Sequence, residues 1–482
     1  MPEPAEIDRL SALFAQRFGA MPARIAELRA HGSTRKLYRI FGGDGFTVVG
    51  VDSADRDENA AFVAFSRHFR SIGLPVPEIY AEDLAEGVYL EEDLGDTTLF
   101  ELLQAQRGEE PGIPAPVAAL YEEAVRLLAR FQVQGGAGLD FSICYPHAAF
   151  DRRSMMWDMN YFKYYFLKLA QVPFHEQKLE NDFEALCTWL LQAPCDFLLY
   201  RDFQSRNLMV RNGGLALIDY QGCRRGALAY DLASLLLDAK ANLPFAFRDH
   251  LKQVYLDAAA ALTPVDREAF EPQLRGYSLI RIMQAMGAYG YRGFFERKAH
   301  FLQSVPFAIR NLEHLVLQGE LPVKLPALWD ALILIIRSTR LREIAASATP
   351  LPLTLRIESF AYKYGYPEDH SGHGGGFVFD CRALPNPGRE PHLAGSTGLD
   401  SEVADWLRLH EGVAQFIAQV RALLEPSIQS YQARKFTHLS VAFGCTGGQH
   451  RSVYCAEALA RALQGHHGIT VEVHHRERPR WP

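Results

Sequence analysis

The stretch Tyr200-Arg-Asp-Phe-Gln-Ser-Arg-Asn207, followed by Ile218-Asp219-Tyr220, decides how this chain folds. It sets an Asp, an Asn five residues on, and a second Asp twelve residues after that. The apolar runs Phe197-Leu-Leu-Tyr200 and Leu215-Ala-Leu-Ile218 read as short strands, each delivering a carboxylate at its C-terminal end into one cleft. Phosphoryl transfer from ATP asks for such a set. One carboxylate orients and deprotonates the attacking hydroxyl, while an amide and a second carboxylate hold Mg2+ against the nucleotide phosphates. Asp202, Asn207 and Asp219 match those roles by type and spacing.

Outward toward the N-terminus, residues 1–95 read as mixed helix and strand. Leu37-Tyr-Arg-Ile-Phe41 and Phe46-Thr-Val-Val-Gly-Val51 are β-rich runs joined by the hairpin signal Gly42-Gly-Asp-Gly45. Helical apolar spacing at Phe62, Phe65 and Phe69 predicts a helix opened near Glu58, and Val88-Tyr-Leu90 a further strand. The polar turn Gly32-Ser-Thr-Arg-Lys36 is a candidate phosphate cover, its backbone N–H groups joined by Ser33, Thr34, Arg35 and Lys36. An ordinary polar turn reads the same way. Glu58 stands where a kinase carries the Glu that pairs with a strand lysine, yet residues 46–51 hold no lysine. The phosphate-clamping role is therefore unassigned between Arg35 and Lys36.

Residues 96–325 are predominantly helical, with one amphipathic face at Val117, Leu120, Tyr121, Ala124, Leu127, Leu128 and Phe131. An aromatic-rich helix is expected over 155–169, and helices again from 232 to about 317. Prolines 322, 326, 350 and 352 surround one helix, so 326–352 is expected as a linker. The last part, 353–482, reads as a small α/β domain with strands at 353–360, 376–380 and 437–443, and helices at 401–424 and 452–463. There, Gly444-Cys-Thr-Gly-Gly-Gln-His-Arg-Ser452 is a strand–loop–helix turn whose N–H groups converge on a helix N-terminus, an anion site by geometry. Its Cys445-x-x-Gly448-x-x-Arg451-Ser452 spacing also matches cysteine phosphatase loops, which activate a thiol. Against that reading, Gly444 stands where a His usually precedes the nucleophile, and no general acid is evident.

Composition bounds the class. The 482 residues exceed one ordinary domain, and 48% hydrophobic with 22% charged content is that of a globular protein. A net charge of −7 argues against a wholesale nucleic-acid binder. Seven scattered cysteines without C-x-x-C spacing suit a reducing cytosol rather than a disulfide framework or a zinc site. With no signal-like N-terminus and no long apolar run, a cytoplasmic protein without membrane contact is expected.

Leu199-Tyr-Arg-Asp-Phe-Gln-Ser-Arg-Asn-Leu-Met-Val210, Leu217-Ile-Asp-Tyr-Gln-Gly222 and Ala229-Tyr-Asp-Leu-Ala-Ser-Leu235 resemble the aminoglycoside phosphotransferase family, and within it the AmgK-type cell-wall sugar kinases. The likeness covers roughly 25–310. It implies a bilobal protein-kinase-like fold with the N-lobe at 1–95 and the C-lobe at 96–325. By position it makes Asp202 the catalytic base, Asn207 and Asp219 the Mg2+ ligands, and Asp231 a structural carboxylate behind the catalytic loop. Glu91, Asp93 and Leu94 fall in the hinge that reads adenine through its backbone, and Glu58 completes the ATP set. Tyr200 departs from the family's usual His. Arg281, Tyr289, Tyr291 and Arg292 suit a neutral or anionic sugar better than a cationic aminoglycoside.

A second likeness runs through Ser359-Phe-Ala-Tyr-Lys-Tyr-Gly-Tyr-Pro367, Phe377-Val-Phe-Asp-Cys-Arg-Ala-Leu-Pro-Asn-Pro387, Thr397-Gly-Leu-Asp400 and Gly444-Cys-Thr-Gly-Gly-Gln-His-Arg-Ser-Val453. These blocks resemble the C-terminal domain of the RNase adapter RapZ, which implies small-RNA binding and the sensing of a phosphosugar. By position Cys445, Thr446, Gly447, Gly448, Gln449, His450 and Arg451 would line that site, with Asp380 and Arg382 facing it. Gly388 stands where the adapters often carry His. The basic tail His474-His-Arg-Glu-Arg-Pro-Arg-Trp481 suits either RNA phosphates or plain solvation.

The expected whole is an α+β fusion. An ATP- and Mg2+-dependent phosphotransferase acts on a hydroxyl acceptor, an amino-sugar of cell-wall metabolism, and is joined to a phosphosugar-sensing domain. The alternative is a regulatory RNA- or partner-binding adapter with a degenerate nucleotide-binding kinase unit.

Overall fold

The computed structural model describes residues 4–28, 35–43, 45–108, 112–296, 299–344, 353–367, 376–433, 436, 438–464 and 468–481. These form two compact units. The first takes residues 1–160, 183–284 and 321–323, and the second 161–182, 285–320 and 324–482.

The first unit opens with α1 (Pro4–Phe18) on a five-stranded antiparallel sheet of β1 (Arg24–Leu28), β2 (Lys36–Phe41), β3 (Thr47–Asp52), β4 (Ile79–Asp83) and β5 (Val88–Glu92), in the order β1-β2-β3-β5-β4. Period-two alternation gives the sheet two faces. Tyr38, Ile40, Val48, Val88 and Leu90 pack under Leu10, Leu13 and Phe14 of α1. The other face meets α2 (Arg56–Ser71), whose Asp55 cap accepts the Glu58 N–H at 3.1 Å. Phe62, Phe65 and Phe69 are buried, each contributing about 1.5–3 kcal/mol.

A helical layer follows: α3 (Leu99–Gln106) with a Thr98/Glu101 capping box, α4 (Ala115–Gln134), α5 (Arg152–Phe162), α6 (Glu176–Leu190), α7 (Leu228–Leu236), α8 (Phe245–Ala260) and α9 (Arg267–Gly290). Within it lie two small strand pairs. β6 (Phe197–Leu199) pairs β9 (Arg224–Gly226), while β7 (Leu208–Arg211) and β8 (Gly214–Leu217) form a hairpin turning on Asn212 and Gly213, both at positive φ.

The second unit contains α10 (Ala299–Leu302), α11 (Val305–Leu317), α12 (Pro326–Arg337), α13 (Thr339–Ile344) and a four-stranded parallel sheet. That sheet, ordered β11-β12-β10-β13, is made of β10 (Leu353–Ala361), β11 (Phe377–Asp380), β12 (His438–Cys445) and β13 (Ile469–His475). Around it lie α14 (Ser401–Arg408), α15 (Glu411–Ala433) and α16 (Arg451–Ala462), closing a core that includes Leu355, Ile357, Val441, Phe443 and Leu459.

Three differences from the sequence expectation stand out. Residues 326–352, expected as a linker, begin with two packed helices: Leu328, Ala331, Leu332, Ile335 and Ile336 of α12 are buried, and Asp182 accepts the Leu328 N–H at 2.8 Å. The helix expected over 401–424 breaks between Arg408 and Glu411 and then runs on to Ala433. The basic tail is not simply solvated. Its first two residues, His474 and His475, end β13, which is paired along β10, and Glu477 beyond it is buried between Arg476 and Arg480.

Candidate active site

Two loops of the first unit carry the expected triad, and both are held in unusual backbone. Arg201 (φ 84°) precedes Asp202, and Asp219 itself has φ 66°. Non-glycine residues in this region cost about 1–3 kcal/mol each and need surrounding bonds to hold them. Asp231, wholly buried at the start of α7, supplies these for the first loop. It accepts the backbone N–H groups of Tyr200 at 2.7 Å and Arg201 at 2.9 Å, and Gln132 Nε2 at 3.1 Å. Burial pushes its carboxyl up to about 7 against the pull of those three donors. The Arg201 guanidinium makes a two-pronged pair with Asp158 at 2.8 and 2.7 Å and lies 4.9 Å over Phe150.

Tyr200 fixes the second loop to the first. Its hydroxyl donates to the carbonyl of Ile218, next to Asp219, and its ring packs 5.0 Å from Phe131 and 5.2 Å from Phe203. The ladder continues through Phe69 to α2, and Phe62 stacks on both Tyr220 and Tyr89. The departure from the usual His is thus absorbed by a buried, hydrogen-bonded aromatic.

Asn207 and Asp219 are brought together. Asn207 Nδ2 donates to the Asp202 carbonyl at 2.8 Å and to Asp219 Oδ2 at 3.2 Å. Its amide nitrogen is committed, so the amide oxygen is the atom that could take a cation. Asp219 Oδ1 also receives Arg35 Nη2 at 2.8 Å and Gln221 Nε2 at 2.9 Å. An amide oxygen beside a carboxylate that gathers N–H donors is a hard-oxygen set suited to Mg2+, which keeps water and phosphate in its remaining positions. Among the described residues no cluster of three His, Cys, Asp or Glu side chains could hold a metal by itself. The Asp202 carboxylate is 43% exposed, and Arg281 Nη2 approaches it at 3.4 Å from α9, steered by Ser234 Oγ at 2.9 Å.

The other nucleotide candidates divide. Ser33 and Thr34 lie outside the described residues. Arg35, just before β2, turns to Asp219, while Lys36, the first residue of β2, pairs with Glu6 of α1. Glu58 lies within electrostatic reach of Arg35. Glu91 faces inward with Oε2 buried and unpaired, and burial pushes its carboxyl up to about 8, partly offset by Arg35. Asp93 is tied to Arg39 at 2.6 and 2.9 Å, and Leu94 follows β5 half-buried. Gln221 and Asp158 escaped the sequence reading. Gln221 carries a positional signal two residues after Asp219, and Asp158 carries none, because its partner is distant in sequence.

The loop of the second unit has a different character. Cys445 ends β12 with its sulfur buried, receiving the Gly448 N–H at 3.2 Å and lying 3.1 Å from Ser452 Oγ. Gln449 Nε2 donates to Ser396 O at 2.7 Å, His450 Nε2 lies 3.1 Å from Leu393 O, and Arg451 Nη1 donates to Arg382 O at 2.8 Å and Leu384 O at 3.2 Å. These three side chains, expected to face a ligand, fasten residues 382–396 to the loop. Thr446 and Gly447 are exposed. Gly448 has φ 70°, and a Cβ there would meet Glu477 Cγ at 2.5 Å. Trp481 Nε1 donates to the Gly448 carbonyl at 3.2 Å, so the tail covers this side of the loop. Asp380 and Arg382 pair bidentately, with the guanidinium 4.1 Å over Tyr362. The phosphatase spacing does not bring phosphatase geometry. Arg451 Nη1 goes to carbonyls, and a Cβ at Gly444 would meet the Phe360 and Tyr362 rings at 2.5 Å, so no His fits there without displacing them.

The family model described as "Phosphotransferase enzyme family" matches residues 25–270, about half the chain. The chain belongs to the phosphotransferase enzyme family. The model for the RapZ C-terminal domain matches residues 353–479 of this phosphotransferase. Among curated proteins, a "Nucleotide-binding protein" of Shewanella halifaxensis is 42% identical over 139 residues, covering 29% of this chain and 46% of that one. One of Chromobacterium violaceum with the same name is 45% identical over 111 residues, covering 23% and 38%. The chain thus spans about half or less of the length of these relatives. Solved structures similar to it include the ADP-bound aminoglycoside phosphotransferase APH(2'')-Ib (15% identity, TM-score 0.42, 64% of this chain and 98% of that one). Another is the choline kinase LicA from Streptococcus pneumoniae (13% identity, TM-score 0.43, 64% and 98%). The protein is a phosphotransferase-fold chain with a C-terminal RapZ-type α/β domain. Among the described residues no helix is long and apolar enough to cross a membrane.

Proposed function

We propose that this phosphotransferase moves the γ-phosphoryl group of ATP to a hydroxyl of an amino-sugar of cell-wall metabolism, and that its C-terminal domain reads a related phosphosugar. The observation that supports the reading is the link Asn207 makes between the two loops, its Nδ2 bonding the Asp202 carbonyl and the Asp219 carboxylate. Asp202 takes the proton of the acceptor hydroxyl as its oxygen attacks the γ-phosphorus, and ADP leaves. Asn207 through its amide oxygen and Asp219 through its carboxylate would hold Mg2+, which when bound neutralises the phosphate charge. Asp231 and Asp158 act earlier, by holding the loop that carries the base. Arg281 beside Asp202 favours a neutral or anionic acceptor, because a cationic aminoglycoside would meet a guanidinium at the base.

The lobe boundary near residue 95 and the hinge at 91–94 belong to the same proposal, as does a cytoplasmic location, which the seven unpaired thiols suit. For the C-terminal domain, Arg382 over Tyr362, Arg480 4.4 Å over Tyr364 and the 66% exposed Tyr366 present stacked guanidinium and aromatic faces on which the bases of single-stranded RNA, as a further partner, would stack.

The test is Mg2+-dependent ATP consumption and sugar-phosphate formation against N-acetylmuramate, N-acetylglucosamine, choline, homoserine and kanamycin, with Asp202→Ala as control. Asp202-dependent turnover of an amino-sugar is expected. A folded, ATP-binding protein that turns over none of them would replace this reading with the regulatory adapter.

A further inference from the structure

β3, Thr47-Val-Val-Gly-Val-Asp52, carries no cation, while Asp219, Glu58 and Glu91 gather in the first unit near the start of β2. Arg35, one residue before β2, is 8% exposed and stands among them. Its Nη2 reaches Asp219 Oδ1 at 2.8 Å, and the Tyr89 hydroxyl, Glu58 and Glu91 lie within electrostatic reach of it. A guanidinium so buried is stable only with such partners. The antiparallel pairing of β2 with β3 explains the substitution: Lys36 stands opposite Asp52, so Arg35 enters the cleft from the end of the neighbouring strand.

The same contact has a second consequence. Arg35 lies on an oxygen of the carboxylate that the proposed function assigns to Mg2+, and a unit positive charge within 3 Å repels a divalent cation. Nucleotide phosphates offer the guanidinium a bidentate partner of higher charge.

We propose that Arg35 takes the place of the missing strand lysine as the phosphate clamp, and that it competes with the metal for Asp219 until nucleotide draws it away. Metal and ATP then bind as a coupled pair: each is weak alone and strengthens the other by the same factor. This rests on the reading of Asp219 as a metal ligand.

The experiment uses the full chain. Mn2+ binding is followed by the spin-resonance signal of free Mn2+, with and without ADP, and ADP binding by calorimetry, with and without Mn2+. For Arg35→Gln, Mn2+ binding without nucleotide should tighten several-fold. ADP binding with Mn2+ should weaken about tenfold, the scale of one lost charge-assisted contact, so the coupling factor falls. Arg35→Lys should lie between this variant and wild type. It carries the test alone if Arg35→Gln does not fold. Arg9→Gln, which removes an ion pair with Asp52, should leave both affinities unchanged. Unaltered Mn2+ and ADP affinities in Arg35→Gln, or an equal loss on Lys36→Gln, would overturn the assignment. If Asp219→Ala binds Mn2+–ADP like wild type, the metal-site reading fails instead, and the two failures are distinguished.

Discussion

In the proposed reaction Asp202 takes the proton of the acceptor hydroxyl. Asp202→Ala should lower turnover by at least about 100-fold, the usual contribution of a general base, with little change in ATP affinity. Asp231 acts through the backbone. Asp231→Asn keeps one oxygen acceptor where Tyr200 and Arg201 use two, so it should destabilise the protein by about 1–3 kcal/mol in denaturant unfolding. Glu91 gives a pH signature. Its carboxyl, ordinarily near 4.5, is pushed up to about 8 by burial, so the folded protein holds a proton that the unfolded chain releases. That contribution is fully present below pH 4.5 and is lost as pH rises through about 8. Glu91→Gln cannot ionise. Its melting temperature should match wild type near pH 5 and exceed it by about 2–4 °C near pH 9. Equal melting at both pH values would contradict an inward, unpaired carboxyl.

At the scale of elements, the strands near the site were legible because period-two runs end in the carboxylates themselves. β2, β3, β5, β6 and β8 lie where alternation and short apolar runs placed them, within a residue or two at their ends. Two elements were obscured for physical reasons. β13 ends in His474 and His475, whose polarity reads as tail, yet its backbone is satisfied by pairing with β10. α12 is surrounded by prolines, which read as linker punctuation, but Pro326 occupies the first helical turn, where a missing N–H costs nothing. Asp182 completes that end. Asp182→Ala should therefore cost about 0.5–2 kcal/mol, the range for a lost N-terminal cap, measurable by thermal unfolding. In the C-terminal loop, any Cβ at Gly448 meets Glu477 and must also accept a positive φ. No sequence pattern forecasts that contact, because the tail that makes it returns from the end of the chain.

For the whole molecule, the compact units do not follow the expected domain limits. Residues 285–320 and 324–344 belong to the same unit as the RapZ-type domain. Inside that unit, the buried Arg310 of α11 lies within electrostatic reach of Glu472, and Arg342 of α13 lies 5.5 Å over Phe436 and pairs with Glu313 at 2.6 Å. A chain ended at residue 352 loses Glu472 and Phe436. It should melt several degrees below the full protein and bind a dye for exposed apolar surface. A truncated chain with unaltered melting would show that the helices of this unit stand without the C-terminal sheet.

The sequence by itself determined the chemistry on offer and the two families. Residue type and local spacing carry both, so Asp202, Asn207, Asp219 and the Gly-rich loop were visible from the chain alone. What only the tertiary structure decided is which partners those residues take within the chain. Arg35 and Lys36 are adjacent in sequence, yet at the entry to β2 one turns to Asp219 and the other to Glu6. Gln449, His450 and Arg451 look like donors awaiting an anion, and carbonyls brought from fifty to seventy residues away take them instead. A donor's partner depends on long-range packing. Local pattern fixes the donor but cannot reveal that packing.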